Sequence, residues 1–148
     1  MINLADITKV FNQGNPNEFT AVRGVSLDLE AKKVTVLKGP SGSGKTSLLS
    51  IIGCMARPTS GRIMLSGAIL PASLKSQQAG NGGGADGKAG MVEVSSLPER
   101  FLTEIRRNTF GFIFQQFNLI KGITAVENVM IPAYPAGEAL STLRKRAA

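Results

Sequence analysis

Residues 2 to 11 and 20 to 30 carry apolar side chains at loosely alternating positions, with Val22, Val25, Leu27 and Leu29 in the second run and the turn-rich NQGNPNE between the two. Period-two alternation broken by Asn, Gly and Pro predicts two strands joined as an antiparallel pair. A third apolar run, KVTVLK at 33 to 38, predicts a strand that leads into a glycine-rich turn. Leu48, Leu49, Ile51 and Ile52 then predict a helix that closes near Gly53 and is stopped by RPTSG. GRIMLSG reads as a short strand with a turn behind it.

The pattern lapses beyond residue 70. From 77 to 90 the chain reads QQAGNGGGADGKAG, with almost nothing to bury, so its ordering entropy has no apolar burial to offset it. Residues 68 to 95 are expected to be a glycine-rich insert, and 77 to 90 a mobile surface loop. A phosphate-binding nest there lacks the preceding strand and following Lys-Ser/Thr that such a nest requires. Periodicity returns at SLPERFLTEIRRN, where Ser96 and Glu99 have capping-box spacing and Pro98 falls in the first turn of a helix expected over 97 to 108. TFGFIF predicts a short buried strand ending at Gln115, and TAVENVM a helix whose Thr124 and Glu127 repeat the capping-box spacing. IPAYPAG interrupts that helix, and EALSTLRKRAA is helical by propensity.

Strands alternating with helices imply an α/β fold, and 148 residues suffice for about one domain. No apolar run approaches the roughly 18 residues of a membrane span, and the N-terminus has no signal-peptide pattern, so a soluble chain that is not exported is expected. Cys54 is the only cysteine and there is no histidine, which excludes an internal disulfide and a Cys/His metal site. It reads as a small buried hydrophobe, because no imidazole is present to activate it as a nucleophile. The net charge of +7 suits nucleic acid, an anionic surface or a polyphosphate ligand. Its bases are scattered except for Arg144, Lys145 and Arg146, and one Tyr with no Trp leaves few base-stacking platforms, so no nucleic-acid partner is expected.

The chemistry concentrates in the turn after KVTVLK. Gly39, Gly44, Lys45 and Thr46 satisfy G-x-x-x-x-G-K-[ST], with the expected strand before and helix after. Glycines at 39, 42 and 44 let the backbone curl so that its N–H groups converge on phosphate oxygens, helped by the helix N-terminus. The candidate phosphate-binding residues are Gly39, Pro40, Ser41, Gly42, Ser43, Gly44, Lys45, Thr46 and Ser47, with Lys45 reaching the β- and γ-phosphates of a nucleotide and the Thr46 hydroxyl ligating Mg²⁺. Such a loop alone does not separate kinases, GTPases, nucleic-acid motors and transporter ATPases.

Three stretches carry a more specific signal: AVRGVSLDLE, GPSGSGKTSLLSIIG with the following RPTSGRI, and FGFIFQQFNLIKGITAVENV. On these the sequence resembles the ATP-binding-cassette (ABC) transporter ATPases, with wording most similar to the branch serving lipoprotein release and macrolide efflux. The resemblance implies a partial P-loop core with an antiparallel β subdomain at the N-terminus, spanning residues 1 to 148. It places Gln115 where the family has a glutamine that touches Mg²⁺ and senses the γ-phosphate, and Phe11 where the family has an aromatic that stacks on adenine. An ordinary strand aromatic at Phe11 and a turn cap at Gln115 are the competing readings. The implied partners are ATP, a second nucleotide-binding domain and a membrane permease, and the implied location is cytoplasmic, peripheral at the inner face of the cell membrane.

The same resemblance marks what these residues do not contain: the LSGGQ-type signature, the Walker B Asp and Glu, the D-loop and the switch histidine. Asp86 is the only aspartate after the loop, and no later glutamate follows a run of four apolar residues. No catalytic residue is therefore assigned, and ATP binding without efficient hydrolysis by this chain alone is expected. A non-catalytic nucleotide-binding, dimerisation or regulatory module is the alternative, and a P-loop kinase a third for which no catalytic acid is found. With the family's remaining sheet strands missing, an exposed apolar edge and face are expected, together with marginal stability, aggregation or dependence on a partner.

Overall fold

A computed structural model of the protein describes residues 1–67, 70–71 and 90–148. Of the segment 68–95, only residues 70–71 and 90–95 are among these, so the loop expected over 77 to 90 lies outside them except for Gly90. The chain forms two compact units, Met1–Phe110 and Gly111–Ala148.

The first unit is built on one antiparallel sheet. β1 (Ile2–Phe11) and β2 (Phe19–Leu29) pair as the alternation predicts, with Ile2 opposite Leu29 and Phe11 opposite Phe19. β3 (Ser60–Ser66) pairs with the other edge of β1, and β4 (Met91–Glu93) pairs with β3, giving the order β2-β1-β3-β4. β4, at three residues, is too short to show an alternation in the sequence. Leu4 and Ile7, three residues apart, are both buried because Asp6 adopts a left-handed φ of 52° and forms a bulge that returns Ile7 to the inner face.

Two helices contribute to the same core. α1 (Lys45–Ile52) buries Leu48, Ile51 and Ile52, and α2 (Glu99–Thr109) buries Leu102 and Ile105, against Leu4, Ile7, Ile63, Leu65 and Val94. α2 starts later than expected. Pro98 occupies the N-cap and makes no side-chain cap, so the Ser96–Glu99 capping box does not form. The Glu99 carboxylate instead receives Arg106 at 2.6 Å and lies 3.6 Å from Arg57, which outcompete a backbone partner for its charge.

Two expected strands are also absent. Residues 33–38 and 109–114 form no ladder; Val34 is 92% exposed and Ile113 fully so. A strand needs a neighbour to take its N–H and C=O groups, and neither segment enters the β2-β1-β3-β4 ladder. The apolar surface anticipated from the sequence is thus present at Val34 and Val36 in the first unit, and at Ile113, Phe117 and Leu119 in the second.

The second unit is helical. α3 (Ala125–Met130) opens on the predicted capping box: Thr124 Oγ1 accepts from the Glu127 N–H at 3.2 Å, and the Glu127 carboxylate accepts from the Thr124 N–H at 2.7 Å. A 3₁₀ turn over Ile131–Ala136 ends at a left-handed Gly137, and α4 (Leu140–Ala147) follows, with Arg146 paired to Glu138. The class anticipated from the sequence, α/β with an antiparallel flank, matches this arrangement.

Candidate functional site

The glycine-rich turn enters α1 without a side-chain cap. Gly44 is the N-cap residue at φ 83°, and its carbonyl accepts the first helical bond, from the Leu48 N–H at 2.8 Å. Gly42 is also left-handed, at φ 78°. Gly44 has a second requirement, since a Cβ there would run into the carbonyl oxygen of Ala21 on β2. The turn is therefore pressed against the sheet at a point where only glycine fits.

Lys45, the first residue of α1, folds its side chain back over the turn. Its ammonium donates to the carbonyl of Gly39 at 2.8 Å, to that of Pro40 at 2.6 Å and to the Ser43 hydroxyl at 3.2 Å. One cation thus closes the turn, gathering two carbonyl oxygens and a hydroxyl around its ammonium group. Ser41 and Thr46 are exposed, and Ser47 is half-buried. The helix N-terminus adds partial positive charge at the same place, so the arrangement suits a cluster of anionic oxygens. A cleft of about 540 Å³ runs beside it, lined by Ala21, Arg23, Val25, Lys38, Gly39 and Lys45 among others.

The far end of α1 is fastened as well. After Gly53, Cys54 takes a left-handed φ of 57°, and its carbonyl accepts from Arg106 Nη1 of α2 at 2.8 Å. Arg57 donates to the carbonyl of Leu97 at 2.6 Å, and Glu99 bridges both arginines. Hydrogen bonding from Arg106 holds the Glu99 carboxyl below its ordinary range. Burial pushes the Cys54 thiol up to about 11, so it is neutral at physiological pH and packs as the small hydrophobe expected.

The structure brings the candidate residues of the turn together at the entry of α1. Phe11 does not line the cleft; it lies opposite Phe19 at the end of the β1–β2 ladder, two positions beyond Lys9, whose partner Val22 does line it. Gln115 is exposed in the second unit. Arg23, Lys38 and the Ala21 carbonyl were missed as neighbours of the turn. Arg23 does interrupt the apolar alternation of β2, but its proximity to the turn is a tertiary fact that no local spacing reports. Among the described residues no group of three or more Cys, Asp or Glu side chains could hold a metal, so donors for a hard cation at the turn would be hydroxyl oxygens such as that of Thr46.

The ABC transporter family profile matches residues 22–148. The macrolide export ATP-binding/permease protein MacB of Hyphomonas neptunium is 38% identical over 148 residues, which is 100% of this chain and 19% of that protein. An uncharacterized ABC transporter ATP-binding protein of Thermotoga maritima is 33% identical over 147 residues, covering 99% of this chain and 52% of its own length. Among solved structures, a dimeric post-hydrolysis state of the ATP-binding cassette MJ0796 bound to ADP and Pi superposes with a TM-score of 0.73 at 32% identity, over 99% of this chain and 54% of that one. The chain thus spans about half the length of the cassette relatives and a fifth of the MacB protein.

Proposed function

Since the chain belongs to the ABC transporter family, we propose that it binds ATP with Mg²⁺ through Gly39, Pro40, Ser41, Gly42, Ser43, Gly44, Lys45, Thr46 and Ser47, as the N-terminal part of a transporter's nucleotide-binding domain. The observation that carries this reading is the turn itself, with left-handed glycines opening α1 and Lys45 drawn over it. On binding, the Lys45 ammonium exchanges the carbonyls of Gly39 and Pro40 for phosphate oxygens, a charge-assisted replacement that favours the anion. Mg²⁺, held in part by Thr46, would neutralise phosphate charge. Phe11 takes the adenine by the family's pattern, and Gln115 is assigned to the metal on the same ground.

The finer setting is also a proposal: a second nucleotide-binding domain and a membrane permease as partners, with the chain peripheral to the inner face of the cell membrane. No helix among the described residues is long and apolar enough to cross a membrane.

The test is calorimetry of Mg²⁺-dependent ATP binding, with Lys45→Ala alongside and phosphate release followed in the same samples. Binding that is lost in the variant, without turnover in either, is the expected result. Equal binding by both proteins, or by neither, would sink the reading.

A further inference from the structure

Phe11 and Phe19 stand directly opposite each other where β1 and β2 meet their connecting turn. Their rings stack with centroids 5.2 Å apart at an interplanar angle of 18°. Parallel rings in contact at that centroid distance are laterally offset, so each backs only part of the other. Both remain in solvent, Phe11 at 36% and Phe19 at 53% exposure. A third group fixes the pair. Lys9 donates to the Arg57 carbonyl at 2.7 Å, and its ammonium sits 5.2 Å from the Phe11 centroid, within cation–π range.

Two exposed phenylalanines gain little from stacking on each other in water compared with burial in the core, which lies on the same strands. What the stack does supply is order. A lone exposed Phe samples several rotamers, whereas one packed on an offset ring with a tethered lysine nearby presents its remaining surface in one orientation. An aromatic surface fixed in advance binds a flat heterocycle without losing that rotamer freedom.

Resting on the reading above that Phe11 meets the base, we infer that Phe19 is a positioning residue for nucleotide recognition: it touches no ligand and acts by holding the Phe11 ring. Its contribution depends on the base and not on the phosphates. A role in folding alone would weaken both.

The experiment compares the affinities of ATP–Mg²⁺ and of inorganic tripolyphosphate with Mg²⁺ for the full chain and for Phe19→Leu, Phe19→Tyr, Phe11→Leu and Lys45→Ala. Phe19→Leu is expected to weaken ATP about three- to tenfold, the size of one aromatic pair, with tripolyphosphate unchanged. Phe19→Tyr keeps the stack and should restore ATP affinity. Equal losses for the two ligands in Phe19→Leu would reduce the residue to a structural one and overturn the inference. Loss of ATP affinity in Phe11→Leu but not in Phe19→Leu overturns it too. If Lys45→Ala abolishes binding while Phe11→Leu changes nothing, the inference fails with the base platform while phosphate binding stands. If Lys45→Ala changes neither ligand, the proposed function itself fails.

Discussion

Apolar sequence flanks the glycine-rich turn on both sides, and the two flanks are held in opposite ways. Behind the turn, α1 buries Ile51 completely and Leu48 and Ile52 nearly so, and the Cys54 carbonyl just past its end is tied to Arg106 of α2. Ahead of the turn, Val34 and Val36 are exposed and only Leu37 packs against the core. Residues of similar hydrophobicity meet different fates because a helix satisfies its backbone internally and needs only one packed face, whereas a strand depends on neighbours for every second group it carries. The turn is therefore anchored from its helical side and by the press of Gly44 against Ala21.

Substitution on the two flanks gives the largest expected contrast. Ile51→Ala removes a fully buried side chain and should cost about 2–5 kcal/mol in denaturant unfolding. Val36→Ala, at 66% exposure, should fall within about 0.5 kcal/mol. A Val36→Ala cost approaching that of Ile51→Ala would mean that the leading segment is packed in solution, and the contrast would be lost.

The next contrast lies inside the turn. Both Gly42 and Gly44 are left-handed, but a Cβ on Gly42 meets nothing within 4 Å, while one on Gly44 meets the Ala21 carbonyl. Gly42→Ala should therefore carry only the conformational cost of roughly 1–2 kcal/mol. Gly44→Ala should exceed it and should weaken ATP binding as well, since the helix entry must shift. Equal effects of the two substitutions, in thermal melts and calorimetry, would show that contact with β2 does not shape the turn.

What was legible in the sequence divides along the same physical line. The P-loop pattern, α1, the β1–β2 pair and the Thr124–Glu127 box are local, each specified by residues within a few positions of one another. KVTVLK and TFGFIF have strand composition, but composition supplies no partner strand. Ser96 and Glu99 had the same spacing as Thr124 and Glu127; the first pair failed because Arg57 and Arg106, distant in sequence from one another, converge on Glu99. Arg23 and the Ala21 carbonyl reached the site by sheet packing, which spacing does not report, and β4 was too short to read.

A smaller effect is expected at the tie between the helices. Arg106→Met deprives the Cys54 carbonyl of its donor and should cost about 1–3 kcal/mol, the range for an unsatisfied, partly buried acceptor. Unfolding free energies measured beside Val36→Ala would place this tie above the leading flank or level with it. A level result would mean that packing alone secures α1.

The smallest effect is a pH dependence on the helical flank, and its sign follows from Glu99. Arg106 lowers the pKa of this carboxyl in the folded chain, so ionised Glu99 favours folding. That stabilisation is fully present above the carboxyl's unfolded value, near pH 4.3, and is lost as pH falls through the lower folded value. The group is exposed, so solvent screening keeps the contribution small. Glu127, whose carboxyl is lowered by the Thr124 backbone, titrates in the same acid range and must be subtracted. The measurement is the difference in melting temperature between wild type and Glu99→Gln from pH 6 down to pH 3. It should shrink toward the acid end, because protonation then makes the two side chains alike. A difference that stays constant across that range would assign the effect of the substitution to packing or shape, and would remove the ion pairs from what distinguishes the helical flank from the leading one.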